Sequence, residues 1–237
     1  VAKTLWVLYD KRGLRDIENA KQIGEAYAEG SNAYETDTVA KAEIDALNTR
    51  IYDIVGKHAS GETLSEEDKT FFDFWEKGRA ISMAEFAQIF QTLGTSFDYI
   101  FYDSDTTARG ISAVREALAK GVFEESEGAI IYRGEKKGLH TLVFITSRGT
   151  PTYETKDIGL ALLKEEKCST DEVIIITAVE QVGHFKVVLA ALEEIAPALG
   201  KKMKHVPHGL LQLSTGKMSS RKGNVITAFD LIEETIG

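Results

Sequence analysis

With one cysteine, three prolines and no apolar run of membrane-spanning length, this chain of 237 residues excludes several protein classes at once. Cys168 alone cannot form an intrachain disulfide, and a cysteine-based zinc site is excluded with it. No metal site is expected. The N-terminus carries no signal-peptide pattern, so the expected compartment is cytoplasmic and no membrane is expected as a partner. Internal repeats, low-complexity tracts and long Pro/Ser linkers are also missing. So is a general excess of positive charge. A net charge of −9 argues against a nucleic-acid coat protein, because phosphate binding needs a concentrated positive surface. Acidic residues are in turn absent from residues 197–222, where Lys201, Lys202, Lys204, Lys217, Arg221 and Lys222 fall. An acidic body with one basic end suits a small polyphosphate ligand better than a long duplex.

The length allows one large domain or two smaller ones. Residues 1–94 read as a helical segment. Val39, Ile44, Leu47, Ile51, Ile54 and Val55 recur at helical spacing and predict one apolar stripe, which Gly61-Glu62-Thr63 interrupts. Ser65 with Asp68 predicts an N-terminal cap, leading into Phe71, Phe74 and Trp75 on one face. That face is expected in the core rather than as a base-stacking platform, and a further helix is expected over residues 83–93. Residues 95–237 differ in texture. Short β-rich runs at 97–102, 129–132, 140–146 and 173–177 are separated by helical patterns at 112–120, 152–164 and 185–199. Such alternation predicts an α/β fold, Rossmann-like, with a mostly parallel sheet and ligands at the carboxyl ends of strands.

The stretch Gly216-Lys217-Met218-Ser219-Ser220-Arg221-Lys222-Gly223-Asn224 follows a strand-like run and precedes a helical pattern at 226–236. Its charges, hydroxyl donors and small residues suit polyphosphate. The alternative is a solvated basic turn. A helix expected to start at Thr150-Pro151, with Pro at the first helical position, carries Tyr153 and Asp157 on one face. A phenol and a carboxylate in one pocket can fix a guanidinium. Taken alone, such a pair is more often surface decoration. His205 and His208 would face opposite sides of a strand, so they are not expected to share a metal. His184 is expected to be a packed residue at a helix start.

Lys217-Met218-Ser219-Ser220-Arg221 closely resembles the Lys-Met-Ser-Lys-Ser loop of class I aminoacyl-tRNA synthetases, with Ser220 where that loop has its second lysine. Thr150-Pro151-Thr152-Tyr153-Glu154-Thr155-Lys156-Asp157 resembles the amino-acid pocket of arginyl-tRNA synthetases, whose Tyr and Asp contact the arginine side chain. Gln181-Val182-Gly183-His184-Phe185 is similar to that family's Gln-x-x-His-Phe element, which places Gln181 in the pocket. Phe97–Ser104 resembles a strand ending in Glu-Ser. Asp103 stands at the acidic position, one methylene shorter, with Asp105 as its rival. His205-Val206-Pro207-His208-Gly209 is similar to the segment leading to the nucleotide, where Gly209 and Leu210 would lie against adenine.

The resemblance implies the second half of a class I arginyl enzyme's catalytic domain. Its activity would be ATP-dependent formation of arginyl-adenylate and transfer of arginine to tRNA. Lys217 and Met218 would meet ATP, Lys217 would stabilise the departing pyrophosphate, and Ser219 and Ser220 would donate to phosphate. Arg221 or Lys222 would take the place of the missing lysine. Mg2+ is implied as the companion of ATP, and a monomer is the expected state. A His-x-Gly-His signature, which class I enzymes use for ATP, is absent, and the chain starts without methionine. The expectation is a fragment inactive on its own. A catalytically inactive synthetase-derived binding module and another class I synthetase are the rival readings.

Overall fold

A computed structural model describes residues 1–209 and 228–236. Two compact units are present: residues 1–98 with the helix at 228–236, and residues 99–209.

The first unit is helical. Helix α1 (Ala2–Leu5) continues into a π-helical turn over Trp6–Lys11 and is followed by α2 (Ala20–Thr36), α3 (Thr38–Ser60) and α4 (Glu66–Thr92). Each later helix starts on a side-chain cap that satisfies an orphan backbone donor: Asn19 accepts from Gln22 N, Asp37 from Val39 N and Ala40 N, and Ser65 from Asp68 N. Gly61, at φ 78°, ends α3 in the left-handed conformation that glycine adopts without strain. The α3 stripe is Ala40, Ile44, Leu47, Ile51 and Ile54, all buried. Val39 is exposed instead, because it lies one residue off the period. The segment 83–93 is not a separate helix. It is the last part of α4, since no proline interrupts the helical run after Trp75 and Gly78 packs on Ile17. Phe71 and Phe74 are buried and meet Tyr9 edge-on at 5.0 and 5.2 Å, so the aromatic face belongs to the core.

The second unit carries the strands. Residues 97–102 do not form the expected strand. They run into α5 (Asp103–Ala119) with no ladder partner among the described residues, and Phe97, Tyr99 and Ile100 are exposed. A β-rich composition favours a pleated, half-buried surface but cannot supply the neighbouring strand. The helix starts at Asp103, well before residue 112, because the Asp105 carboxylate accepts from Tyr102 N and closes a capping box.

Strands β1 (Glu124–Ser126), β2 (Ala129–Tyr132) and β3 (Leu142–Ile145) form an antiparallel meander that strand–helix alternation does not anticipate. Its cause is local. Ser126 pairs with Ala129 across Glu127-Gly128, both with positive φ (50° and 76°), the two-residue turn that matches hairpin twist. Helix α6 (Tyr153–Lys167) then leads to β4 (Val173–Ala178). Helices α7 (Val182–Ile195) and α8 (Pro197–Gly200) connect β4 to β5 (Met203–His208). β4 and β5 pair in parallel, from Val173 opposite Met203 to Ala178 opposite His208. Val114, Phe144, Ile158, Val187 and Leu192 are fully buried between the helices and the meander. The architecture is therefore a helix-rich α/β fold with a parallel strand pair and N-terminal helices. A last helix, α9 (Ala228–Ile236), belongs to the first unit and lies within the expected range.

Candidate functional site

The site assembles where α6 begins. Pro151 is not its first helical residue. It lies before the Thr152 N-cap and bridges Ile145 in extended conformation. The Thr152 hydroxyl lies 2.9 Å from both the Val143 and Phe144 carbonyl oxygens, which share its one proton, and the buried Thr155 Oγ1 donates to Phe144 O at 2.5 Å. These bonds tie the first turn of α6 to the end of β3. From the other side α5 approaches closely, because Gly110 and Gly159 carry no side chain at the crossing.

Held this way, α6 presents Tyr153, Glu154 and Asp157 from its first two turns. Tyr153 is 73% exposed, and the Lys156 ammonium lies 5.1 Å from its ring centroid. Lys156 also reaches Asp103 at the start of α5, at 3.0 Å. Asp103 therefore faces a lysine, while Asp105 caps its own helix.

Asp157 and Glu154 converge on His184, in the first turn of α7. Nε2 lies 2.6 Å from Asp157 Oδ2, and Nδ1 lies 3.4 Å from Glu154 Oε1. A neutral imidazole has only one N–H, so only the imidazolium can donate to both carboxylates. Burial disfavours the charged ring, but the hydrogen bonds and negative charges of Asp157 and Glu154 outweigh it and raise its pKa to about 9. Glu154 responds in the opposite direction. Burial would raise its pKa, yet the bonds from His184 and Thr152 hold it below the ordinary value. The His184 ring also meets Phe185 edge-on at 4.9 Å. Phe185 in turn stacks on His205, which is hydrogen-bonded to Thr177 on β4.

Gln181 is exposed at the end of the short turn Val179–Gln181 that follows β4. Gly209 follows β5, whose last residue, His208, pairs with Ala178. Gln181 and Gly209 thus both leave the carboxyl edge of the parallel pair, where open α/β sheets place ligands. His205 and His208 serve different partners: His205 bonds Thr177, and His208 Nδ1 lies 2.6 Å from Gly209 O. Leu210, Lys217, Met218, Ser219, Ser220 and Arg221 lie outside the described residues. Among the described residues, no group of three His, Cys, Asp or Glu is placed to hold a metal ion.

The contact of His184 with Glu154 and Asp157 is not among the sequence expectations, which give the ring a packed place at a helix start and a place in the Gln-x-x-His-Phe element. A signal was present in the i,i+3 acid pair Glu154/Asp157, which shares one helical face and calls for a cation. With the ring charged, the two carboxylates and one imidazolium leave a single net negative charge. That suits one cationic group.

The family of class I (R) tRNA synthetase catalytic domains matches residues 13–237. An arginine–tRNA ligase of Phocaeicola vulgatus is 31% identical over 234 residues, covering 98% of this chain and 37% of that protein. One from Parabacteroides distasonis is 31% identical, covering 88% and 34%. The chain thus spans little more than a third of the length of the curated relatives it matches. Among solved structures, the Thermus thermophilus arginyl-tRNA synthetase aligns with TM-score 0.58 at 21% identity, covering 98% of this chain and 43% of that one. The arginyl-tRNA synthetase of Plasmodium falciparum aligns with TM-score 0.58 at 18% identity, covering 88% and 33%. At these identities the structures speak for the fold, and the family match speaks for descent. The chain belongs to the class I tRNA synthetase catalytic-domain family of the arginyl type.

Proposed function

We propose that this chain supplies the amino-acid pocket and the phosphate loop of an arginine–tRNA ligase. One observation supports the reading most: the contact between Asp157 and His184 brings the first turns of α6 to the start of α7, beside the carboxyl end of β4. That is where a parallel pair places its ligand. In this reading Asp157 receives the arginine guanidinium in paired hydrogen bonds, Tyr153 orients it, and Gln181 borders the pocket. Asp103 lies at the rim, tied to Lys156. Residues 1–94 act as the helical segment of the catalytic domain and residues 95–237 as the half that carries the pocket.

The reaction has two steps. An arginine carboxylate oxygen attacks the α-phosphorus of ATP, the bond to the bridging oxygen breaks, and pyrophosphate leaves. A ribose hydroxyl of the terminal adenosine of tRNA then attacks the adenylate carbonyl, and AMP leaves. Lys217 meets charge that builds on the departing pyrophosphate, a stabilisation realised mainly in the transition state. Ser219 and Ser220 donate to phosphate oxygens, and Arg221 adds charge. Gly209, Leu210 and Met218 border the nucleotide. Mg2+, as the companion of ATP, would supply charge neutralisation at the phosphates. The setting in this reading is a cytoplasmic monomer.

Comparing melting shifts of the purified chain with arginine, lysine and glutamate tests this reading. Arginine is expected to raise the transition most. A planar fork engages a carboxylate in two bonds, whereas an ammonium is a point charge. Equal shifts for arginine and glutamate would remove the pocket assignment.

A further inference from the structure

We infer that His184 is a positioning residue of this pocket: its ring donates to Asp157 Oδ2, pairs with Glu154, and fixes the Asp157 carboxylate so that its remaining lone pairs face a substrate guanidinium. The inference rests on the pocket reading above and adds to it the group that orders the recognising carboxylate.

Three observations carry it. First, the Asp157 contact uses Oδ2 alone, at 2.6 Å, and no described group bonds Oδ1. Oδ2 is anchored on the ring with a lone pair to spare, and Oδ1 is unbonded, so the carboxylate can still receive a guanidinium's paired donors. Second, the anchor is itself fixed. The ring lies against Phe185, Phe185 stacks on His205, and His205 bonds Thr177, so its place is referred back to the β4–β5 pair. Third, the charges balance for one guanidinium. The trio carries one net negative charge with the ring protonated. Without the ring's proton, two carboxylates would repel each other across the same space.

The charged groups facing the ring are Glu154 and Asp157 from α6. His205 on β5 is turned to Thr177, and Lys156 is turned to Asp103. An aspartate held in this way gives up less side-chain freedom when arginine binds, which is how preorganisation raises affinity.

The test uses the purified chain and two readouts. Calorimetry at pH 7.5 measures arginine and ATP affinities for the unmodified chain and for His184→Leu, His184→Gln and Asp157→Ala. We expect His184→Leu to weaken arginine at least tenfold with ATP within twofold. His184→Gln should recover part of the loss, because its amide can still donate to Asp157. Arginine affinity within twofold in His184→Leu, with Asp157→Ala binding none, overturns the positioning role and leaves the pocket reading standing. Full arginine binding by Asp157→Ala, or none by the unmodified chain, removes the pocket reading as well.

The second readout is the His184 ring in an NMR pH titration of the unmodified chain, which does not depend on a variant folding. A midpoint near 9, lowered on saturation with arginine because a second cation arrives beside the imidazolium, is the expected result. Ring signals unmoved by bound arginine overturn the inference.

Discussion

Gly110 and Gly159 meet backbone to backbone where α5 crosses α6. A β-carbon on Gly159 would stand 2.9 Å from the Gly110 amide nitrogen and would overlap the Thr106 carbonyl oxygen. Thr106 and Thr155, both buried, flank the contact. Helix α6 carries Asp157 two residues before Gly159, so this crossing sets how deep the pocket's carboxylate sits.

Gly159→Ala should therefore destabilise the chain by about 1–3 kcal/mol, because backbone rather than a flexible side chain must give way. Urea unfolding measures it. A midpoint equal to that of the unmodified chain would show that the helices can separate freely.

Asp157→Ala is expected to abolish arginine binding far more than ATP binding. A charge-assisted hydrogen bond is worth about 1.5–3 kcal/mol, so losing a pair lowers affinity by roughly two orders of magnitude or more. Calorimetry with each ligand decides it, and equal losses would count against the pocket.

His184 makes stability depend on pH in a stated direction. Its folded pKa, about 9, is above the ordinary 6.5, so the folded state holds the proton more tightly. The contribution is fully present below pH 6.5 and is lost as pH rises through 9. The stability difference between the unmodified chain and His184→Leu should shrink across that window when both are unfolded chemically. A constant difference from pH 6 to 9.5 would mean that the ring is not held charged.

Phe71→Ala tests the helical unit. Phe71 is 1% exposed and packs edge-on against Tyr9, so truncation should cost about 3–5 kcal/mol through the cavity it leaves. Scanning calorimetry should show a correspondingly lower transition, and a shift within error would place the ring outside the core.

What could be read in the sequence was local. The α3 stripe, the Ser65 cap and the Gly61 stop announce themselves within a few residues, because a helix repeats and is capped over that range. Gln181 lies past a strand end, and that too is a local reading. His184 was different, since its carboxylates lie 27 residues or more away and no spacing rule connects a ring to an acid on another helix. The run at 97–102 failed for the converse reason. Its composition was legible, but a strand needs a partner that local sequence does not contain. The Gly110 and Gly159 crossing left only a faint trace, as Thr106/Gly110 and Thr155/Gly159, each pair four residues apart.

The turn between β1 and β2 offers a practical consequence. Glu127 adopts φ 50°, a region that asparagine or glycine occupies more comfortably. Relieving it with Glu127→Asn should return several tenths of a kcal/mol, up to about 1, at a residue in neither the α6 nor the α7 contact that builds the pocket. Introduced first, that change would serve as a background in which pocket variants stay folded. Their lost affinities could then be read as recognition and not as collapse of the chain.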